Sequence, residues 1–130
     1  MLSKTLSSKL ANFVFSTSFE DIPENIRIIA KYHLLDTVGC CIAATPYESS
    51  KKLVEYVLFE GGNCQASAIG VDKLVSISQA AFINGTLARS LEFDEMCMPD
   101  LHPSGVIIPT LLSVAEFTKK LVKTLLMQFL

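Results

Sequence analysis

The sequence predicts an all-α fold whose helices pack against one another as hairpins. Apolar residues recur three and four positions apart along most of the chain, which is the spacing of one face of a helix. Proline, glycine and serine lie between these stretches, where helices are expected to begin or end. The 130 residues are enough for one domain with its own hydrophobic core.

Two helices are predicted in the N-terminal part of the chain. The apolar residues of the first fall on one face: Leu2, Leu6, Leu10, Phe13 and Val14. The second is expected over about residues 23–44, with Asp21 as the capping carboxylate, Pro23 in the first turn and Pro46 beyond its end. Its buried side is expected to carry Ile26, Ile29, Ala30, His33, Leu34, Thr37, Val38 and Cys41.

A third helix is expected to be capped by Ser49 or Ser50 and to end at the Gly61-Gly62 pair. Its inward-facing residues are expected to be Leu53, Val54, Val57 and Leu58. Residues 66–70 are apolar and bounded by residues that break helices, so they fit either a small strand or an extended connector.

A fourth helix is predicted over about residues 76–91, and it is rich in small residues that let neighbouring helices approach closely. Gly85 lies inside this helix, where glycine costs roughly 1 kcal/mol relative to alanine, so we interpret it as a position of close packing. A fifth helix is predicted over about residues 103–118, with Pro109 either kinking it or shifting its start.

Composition and charge exclude several classes of protein. The formal net charge of −2 and the lack of a basic cluster give no reason to expect nucleic-acid binding. No apolar stretch reaches the roughly 20 residues of a membrane span, and the N-terminus lacks the apolar segment of a signal peptide. We therefore expect a cytoplasmic protein without a membrane segment. Charged residues make up only 18% of the chain, so part of the surface is expected to contact a partner.

The four cysteines, Cys40, Cys41, Cys64 and Cys97, contain no CxxC pair. Their spacing fits no zinc site, and the adjacent pair could close only a strained disulfide. We therefore expect four reduced, buried thiols.

The polar loop between the fourth and fifth predicted helices concentrates ionisable residues. Glu92, Asp94, Glu95 and Asp100 closely precede His102. A histidine near carboxylates can act as a general acid or base near neutral pH, or bind a substrate carboxylate when protonated. The alternative interpretation is a solvated surface loop in which the His-Pro step only starts a helix. A metal site is not expected, because the mixture of ligands fits no strong template.

Several motifs, taken in order, resemble those of the MmgE/PrpD family. Residues 80–95, with the sequence AAFINGTLARSLEFDE, are similar to the family's "NGT" helix and its acid-Phe-Asp-acid run. The His-Pro-Ser at 102–104 resembles the next landmark, and the Leu-Leu-Asp-Thr-Val-Gly at 34–39 resembles an earlier one. Each motif alone is weak, but their order and spacing are specific. The resemblance covers about residues 8–117.

The resemblance implies a helical domain joined in the full family to a smaller α/β lid domain, usually in dimers with the active site between the two. It implies chemistry at carbon next to a carboxylate, as in 2-methylcitrate dehydratase, cis-aconitate decarboxylase and iminodisuccinate epimerase, with no metal or organic cofactor. Family members are several times longer. We therefore expect an N-terminal fragment without the lid, in which residues 1–120 form a partial helical domain and residues 121–130 a divergent tail.

By position, the resemblance assigns catalytic roles to His102 and Glu92 and substrate binding to Arg89 and Asp94. Arg89 stands where many family members have histidine, and it could bind a substrate carboxylate bidentately. Met96 stands where cis-aconitate decarboxylases carry threonine, and methionine cannot replace the hydrogen bond of that hydroxyl. This departure favours chemistry like that of 2-methylcitrate dehydratase over decarboxylation.

The sequence therefore predicts part of a lyase or isomerase for a small di- or tricarboxylate, inactive alone. It is expected to form a homodimer or to pair with a missing C-terminal part. We also expect Glu92 and His102 to face one concave surface, since one ends a helix and the other begins the next. The alternatives are a non-catalytic helical module, a subunit of a split enzyme, or an unrelated helical interaction protein.

Overall fold

A computed structural model describes residues 5–97 and 101–119. These residues form five α-helices and one short 3₁₀ helix, which confirms the all-α prediction for the described part of the chain. The helices are α1 (Leu6–Ser16), α2 (Glu24–Ala44), α3 (Glu48–Glu60), α4 (Ile77–Arg89) and α5 (Pro103–Thr118), and the 3₁₀ helix spans Phe19–Asp21. The predicted tail at 121–130 lies outside the described residues.

Helix α4 is the centre of the fold, because it packs on α2, α3 and α5. A capping box begins it: the Ser76 hydroxyl accepts from the Gln79 backbone N–H, and the side-chain oxygen Oε1 of Gln79 accepts from the Ser76 backbone N–H. The fully buried Ile83 and Leu87 lie one helical turn apart on the face that meets the core. Their burial determines which side of α4 faces the core. Arg89, the last residue of the helix, is positioned by the same packing.

Close approach of α4 and α5 depends on two glycines. A Cβ atom added at Gly85 would lie 3.4 Å from the carbonyl oxygen of Gly105. This contact confirms Gly85 as a position of close packing. Helix α5 runs from Pro103 to Thr118 as predicted, and Pro109 lies buried inside it without shifting its start.

The segment between α3 and α4 is an extended connector, not a strand of a sheet. One isolated antiparallel bridge joins Ala66 to Val75. Asn84 of α4 makes two hydrogen bonds to this connector. Its side-chain oxygen accepts from the Ile69 N–H at 2.8 Å, and its side-chain NH₂ donates to the Ser67 carbonyl at 3.3 Å. A buried polar side chain of the central helix therefore replaces the hydrogen bonds that a neighbouring strand would make.

Two predicted helix caps were wrong. Asp21 does not cap α2, because its carboxylate accepts from the backbone and hydroxyl of Ser18 and closes the 3₁₀ turn instead. Pro23 stands at the N-cap of α2 without a side-chain hydrogen bond. Helix α3 begins at Glu48, so Ser49 and Ser50 lie in its first turn rather than at its cap.

The buried side of α2 is narrower than its apolar pattern predicts. Small residues make most of its inward contacts: Ala30, Thr37, Cys40, Cys41 and Ala44 are buried. Ile29, predicted to be buried, is about half exposed, while Ile26, His33, Leu34 and Val38 are partly buried. The inward face of α3 is the one predicted, with Val57 buried and Leu53, Val54 and Leu58 packed against the core.

Helix α1 buries none of its residues, so the apolar face predicted for it is open in this chain. Leu6, Leu10, Phe13 and Val14 are all exposed, and Phe15 is 95% exposed. No single helix in the described part of the chain has both the length and the apolarity to cross a membrane. Helices α2 and α3 meet that test only when taken together across a bend of 92°.

Two of the four cysteines depart from the prediction of buried thiols. Cys40 and Cys41 are buried, whereas Cys64 and Cys97 are exposed. Burial raises the pKa of Cys41 to about 12. The pKa of Cys40 is also raised, first by burial and then by the carboxylates of Asp36 and Asp94. Both therefore remain neutral thiols near pH 7, and neither is an activated nucleophile.

Candidate active site at the junction of α4 and α5

The end of α4 and the start of α5 are held together by the loop between them. Cys97 and Leu101 form an antiparallel bridge, with N–O distances of 2.7 and 3.2 Å. This bridge brings the residues that follow α4 beside His102, which is the N-cap residue of α5. The four residues predicted to form the site lie on either side of it.

The structure links these four residues into one chain of ionic contacts. Arg89 Nη2 lies 3.0 and 3.1 Å from the two carboxylate oxygens of Glu92, and Arg89 Nη1 lies 2.7 Å from Asp94 Oδ1. The other oxygen of Asp94 lies 3.3 Å from His102 Nδ1. That last contact is within the distance of an ion pair but lacks hydrogen-bond geometry. Glu92 and His102 are thus connected through Arg89 and Asp94 rather than directly.

Burial divides the four residues into two groups. The Asp94 side chain is fully buried, whereas 18% of the His102, 32% of the Arg89 and 71% of the Glu92 side chain is exposed. A ligand can therefore reach Glu92, Arg89 and His102, but not the carboxylate of Asp94. Asp94, predicted to bind substrate, lies where it can orient Arg89 and His102 instead.

Glu95 is a further member of the site that the motif comparison did not single out. One of its oxygens accepts a hydrogen bond from the Ser104 backbone N–H at 2.8 Å. The side chain of His102 makes no capping bond, so Glu95 satisfies the first turn of α5 from outside the helix. The residue before Pro103 is His102 rather than the Ser, Thr, Asp or Asn that usually caps a helix. This feature of the sequence could have indicated that α5 is capped by a side chain from another segment.

Buried polar atoms without a protein hydrogen bond concentrate at this junction. Of the six such side-chain atoms in the described part of the chain, four lie here: Asp94 Oδ2, Glu95 Oε2, His102 Nδ1 and Ser104 Oγ. Unsatisfied buried polar groups are rare and each calls for an explanation, for which a functional site is one of the usual reasons. Their clustering separates this junction from an ordinary solvated loop.

Gly105 leaves the room that the Arg89–Asp94 pair occupies. A Cβ atom at this position would lie 3.1 Å from both Arg89 Cδ and Asp94 Oδ2. Contacts that short would push the guanidinium and the carboxylate away from α5. The Gly that follows His-Pro-Ser in the sequence therefore serves the geometry of the site as well as helix packing.

A groove of about 620 Å³ lies between α4 and α5, and Arg89 forms part of its wall. Its other lining residues come from both helices, among them Phe82, Gly85 and Val106. Glu92 and His102 are not among the residues that line it. This groove therefore does not confirm the concave surface predicted for Glu92 and His102, because Arg89 alone of the four predicted site residues lines it.

The backbone of Glu92 is in the left-handed region, with φ of 54°. For a residue other than glycine this conformation costs roughly 1–2 kcal/mol. Such strained positions cluster at active sites and ligand clamps, where the surrounding structure holds them. The residue whose carboxylate contacts Arg89 is therefore also a strained position of the backbone.

The strain at Glu92 can be measured by comparing two variants that lose the same carboxylate. Glu92→Gly is expected to have a free energy of unfolding about 1 kcal/mol higher than Glu92→Ala, because glycine adopts positive φ without a Cβ clash. Urea unfolding followed by circular dichroism gives both values. At the exposed Glu55, inside α3, glycine should instead be roughly 1 kcal/mol less stable than alanine. The same order at both positions would contradict the strain.

No group of three or more His, Cys, Asp or Glu residues within the described ranges 5–97 and 101–119 is arranged to hold a metal ion. The ionic contacts of the junction are made among its own side chains.

Comparison with known proteins decides the family. The model of the MmgE/PrpD N-terminal domain matches residues 8–129. The chain belongs to the MmgE/PrpD family. The match includes most of the segment set apart as a divergent tail, so it does not itself separate residues 121–130, and that division stays a prediction.

Curated relatives of this MmgE/PrpD chain carry the name cis-aconitate decarboxylase. The mouse protein is 26% identical over 117 residues, which are 89% of this chain and 24% of the mouse protein. The cis-aconitate decarboxylase-like protein oryM of Aspergillus oryzae is 29% identical over 119 residues, with 88% and 24% covered. The Aspergillus terreus enzyme is 24% identical over 123 residues, with 92% and 25% covered. The chain thus spans about a quarter of the length of these relatives.

These names concern the relatives' reaction, and the prediction made for this chain was based on Met96. Its side chain is exposed beside the site. The preference for a dehydratase-like reaction, which was based on this residue, stays a prediction.

Proposed function

We propose that this chain supplies part of the active site of an MmgE/PrpD lyase for a small di- or tricarboxylate. The observation that carries the proposal is the continuous contact from Glu92 through Arg89 and Asp94 to His102. Four of the six buried side-chain atoms without a hydrogen bond in the described residues also lie at this junction. Within the whole protein, this junction would face the lid domain expected from the family.

In the proposed reaction His102 is the general acid or base at the carbon next to a substrate carboxylate. Asp94 lies on the Nδ1 side of the ring, so Nε2 is the nitrogen left to exchange a proton with a ligand. The buried carboxylate also stabilises the imidazolium that forms when His102 takes a proton. Asp94 is then a positioning residue for His102, and Glu95 supports both by fixing the first turn of α5.

Glu92 and Arg89 supply the remaining functions proposed for this chain. Arg89 presents a guanidinium, whose planar geometry matches a carboxylate. Glu92 is exposed and lies 3.0 Å from that cation, close enough to act on a ligand bound there. The anionic charge that develops on a substrate carboxylate would be stabilised by Arg89.

The alternative function, a helical module that acts only by pairing, has one observation in its favour. Large apolar side chains on α1 and α2 are open in this chain, among them Phe15, Tyr32 and Leu35. Such a surface fits a second copy of the chain or a separately encoded remainder of the enzyme. It is also the surface expected of a helical domain considered without the rest of a longer protein.

A grafting experiment tests the proposed function. Residues 8–119 replace the matching segment of the mouse relative, and the product is assayed with cis-aconitate, 2-methylcitrate and iminodisuccinate. We expect turnover of at least one substrate by the graft and none by the 130-residue chain alone, because the family's other basic residues lie further along the sequence. The substrate used would also decide between the decarboxylase and dehydratase predictions.

The graft Met96→Thr is the matched variant for the choice of reaction. It should favour CO₂ release from cis-aconitate if the hydroxyl at this position belongs to decarboxylation. A folded graft that turns over none of the three substrates would contradict the proposed lyase function. Turnover by the chain alone would contradict its expected inactivity.

A further inference from the structure

Arg89 binds two carboxylates that differ sharply in exposure. Asp94, on Nη1, is sealed inside the protein, and Glu92, on Nη2, is mostly in solvent. An ion pair with a buried partner is permanent, because separating it would leave a charge in the interior. An exposed ion pair contributes little to the free energy of folding, so another anion can replace its carboxylate. The two sides of the same guanidinium are therefore chemically different.

Arg89 also lines the groove between α4 and α5. Three hydroxyl groups also line this groove, but each donates its hydrogen to a carbonyl of its own helix: Thr86 to Phe82 at 2.8 Å, Ser90 to Thr86 at 2.6 Å and Thr110 to Val106 at 2.8 Å. Among the described residues of its wall, Arg89 is consequently the side chain left to donate to an anion. The volume is that of small-molecule sites, which are about 300–1,000 Å³.

We propose that Glu92 occupies the carboxylate site of Arg89 until a ligand carboxylate displaces it. Both oxygens of Glu92 lie 3.0–3.1 Å from Nη2, so the Glu92 carboxylate stands where a ligand carboxylate would have to bind that nitrogen. Glu92 lies on a left-handed backbone in the turn after α4, three residues from Arg89. Glu92 is thus an internal competitor for the ligand.

Displacement has a consequence for the proposed lyase, on which this inference rests. The exchange leaves the ligand carboxylate on Arg89 and frees the Glu92 carboxylate beside it. Glu92 becomes available to exchange a proton only when the site is filled. The class of ligand is a small polycarboxylate, one carboxylate of which binds Arg89.

Binding of tricarballylate to the 130-residue chain tests the exchange, because this saturated tricarboxylate carries no hydroxyl group to eliminate. Affinities are measured by NMR titration at low ionic strength. Glu92→Gln is expected to bind about two- to fivefold more tightly than the unchanged chain, since the competing ion pair is gone. Arg89→Gln is expected to bind at least about tenfold more weakly. Glu55→Gln, which removes one exposed charge from α3, is the control and should change the affinity little.

The test of the exchange is whether Glu92→Gln raises or lowers the affinity for tricarballylate. If Glu92 helped to hold the ligand, or if its loss disturbed the fold, Glu92→Gln would lower the affinity. An unchanged or lowered affinity for tricarballylate would therefore overturn the exchange. Absence of binding by all the proteins would overturn it as well. Because turnover is not measured, the result is separable from the proposed function: an inactive graft with the expected order of affinities would refute only the lyase.

Discussion

His102→Ala in the active graft is expected to lower turnover by about 10²- to 10⁴-fold, the usual contribution of a general acid or base. Imidazole is the side-chain group that enzymes use most often for proton transfer. The imidazole of His102 lies at the N-terminus of α5, partly exposed, with the buried Asp94 on one side. Initial rates at saturating substrate measure the loss.

The other histidine of the chain gives a matched control. His33 is partly buried in α2, on an element that does not carry the site. His33→Ala should leave turnover within about threefold of the unchanged graft once folded protein is counted, since it removes no group from the junction. Equal losses for the two substitutions would show that His102 acts through the fold rather than through the reaction.

Asp94→Asn in the 130-residue chain is expected to lower the free energy of unfolding by about 3 kcal/mol, because it breaks a buried pair while preserving its shape. Arg89 would retain its charge against a neutral amide, and His102 would lose the carboxylate next to Nδ1. Urea unfolding followed by circular dichroism gives the difference from the unchanged chain.

Glu92→Gln is the control for this stability effect, since it removes the other carboxylate of the same Arg89. Its side chain is exposed, so the loss should stay below about 1 kcal/mol. A comparable loss at both positions would indicate that Arg89, rather than burial of Asp94, determines the energy. If neither substitution changed stability, the network would have no structural role.

The sequence by itself located the helices and the family. Apolar periodicity and breakers predicted α5 at its observed bounds and α4 to within two residues at its C-terminal end. The run from 80 to 95 and the His-Pro-Ser that follows it indicated the family that the domain match shows. These properties are encoded by neighbours along the chain, which is why they could be predicted without coordinates.

Packing decided which local signals prevailed. Asp21 has the composition of an N-cap for α2, yet it closes the 3₁₀ turn, because Ser18 offers two donors on the other side. Ile29 continues the apolar stripe of α2 but remains exposed, since the inward contacts are made by smaller residues such as Ala30 and Cys41. Apolar periodicity predicts which face of a helix can be buried. The neighbouring helices determine how much of that face is buried.

The roles of the acids around His102 were likewise decided by the tertiary structure. Local sequence gives Glu92, Asp94 and Glu95 the same chemistry and nearly the same place. In the fold, Asp94 is buried between Arg89 and His102, Glu95 caps α5, and Glu92 is exposed on a strained backbone. Burial and hydrogen bonding separate carboxylates that are chemically alike, and both depend on contacts between α4 and α5 that no single segment contains.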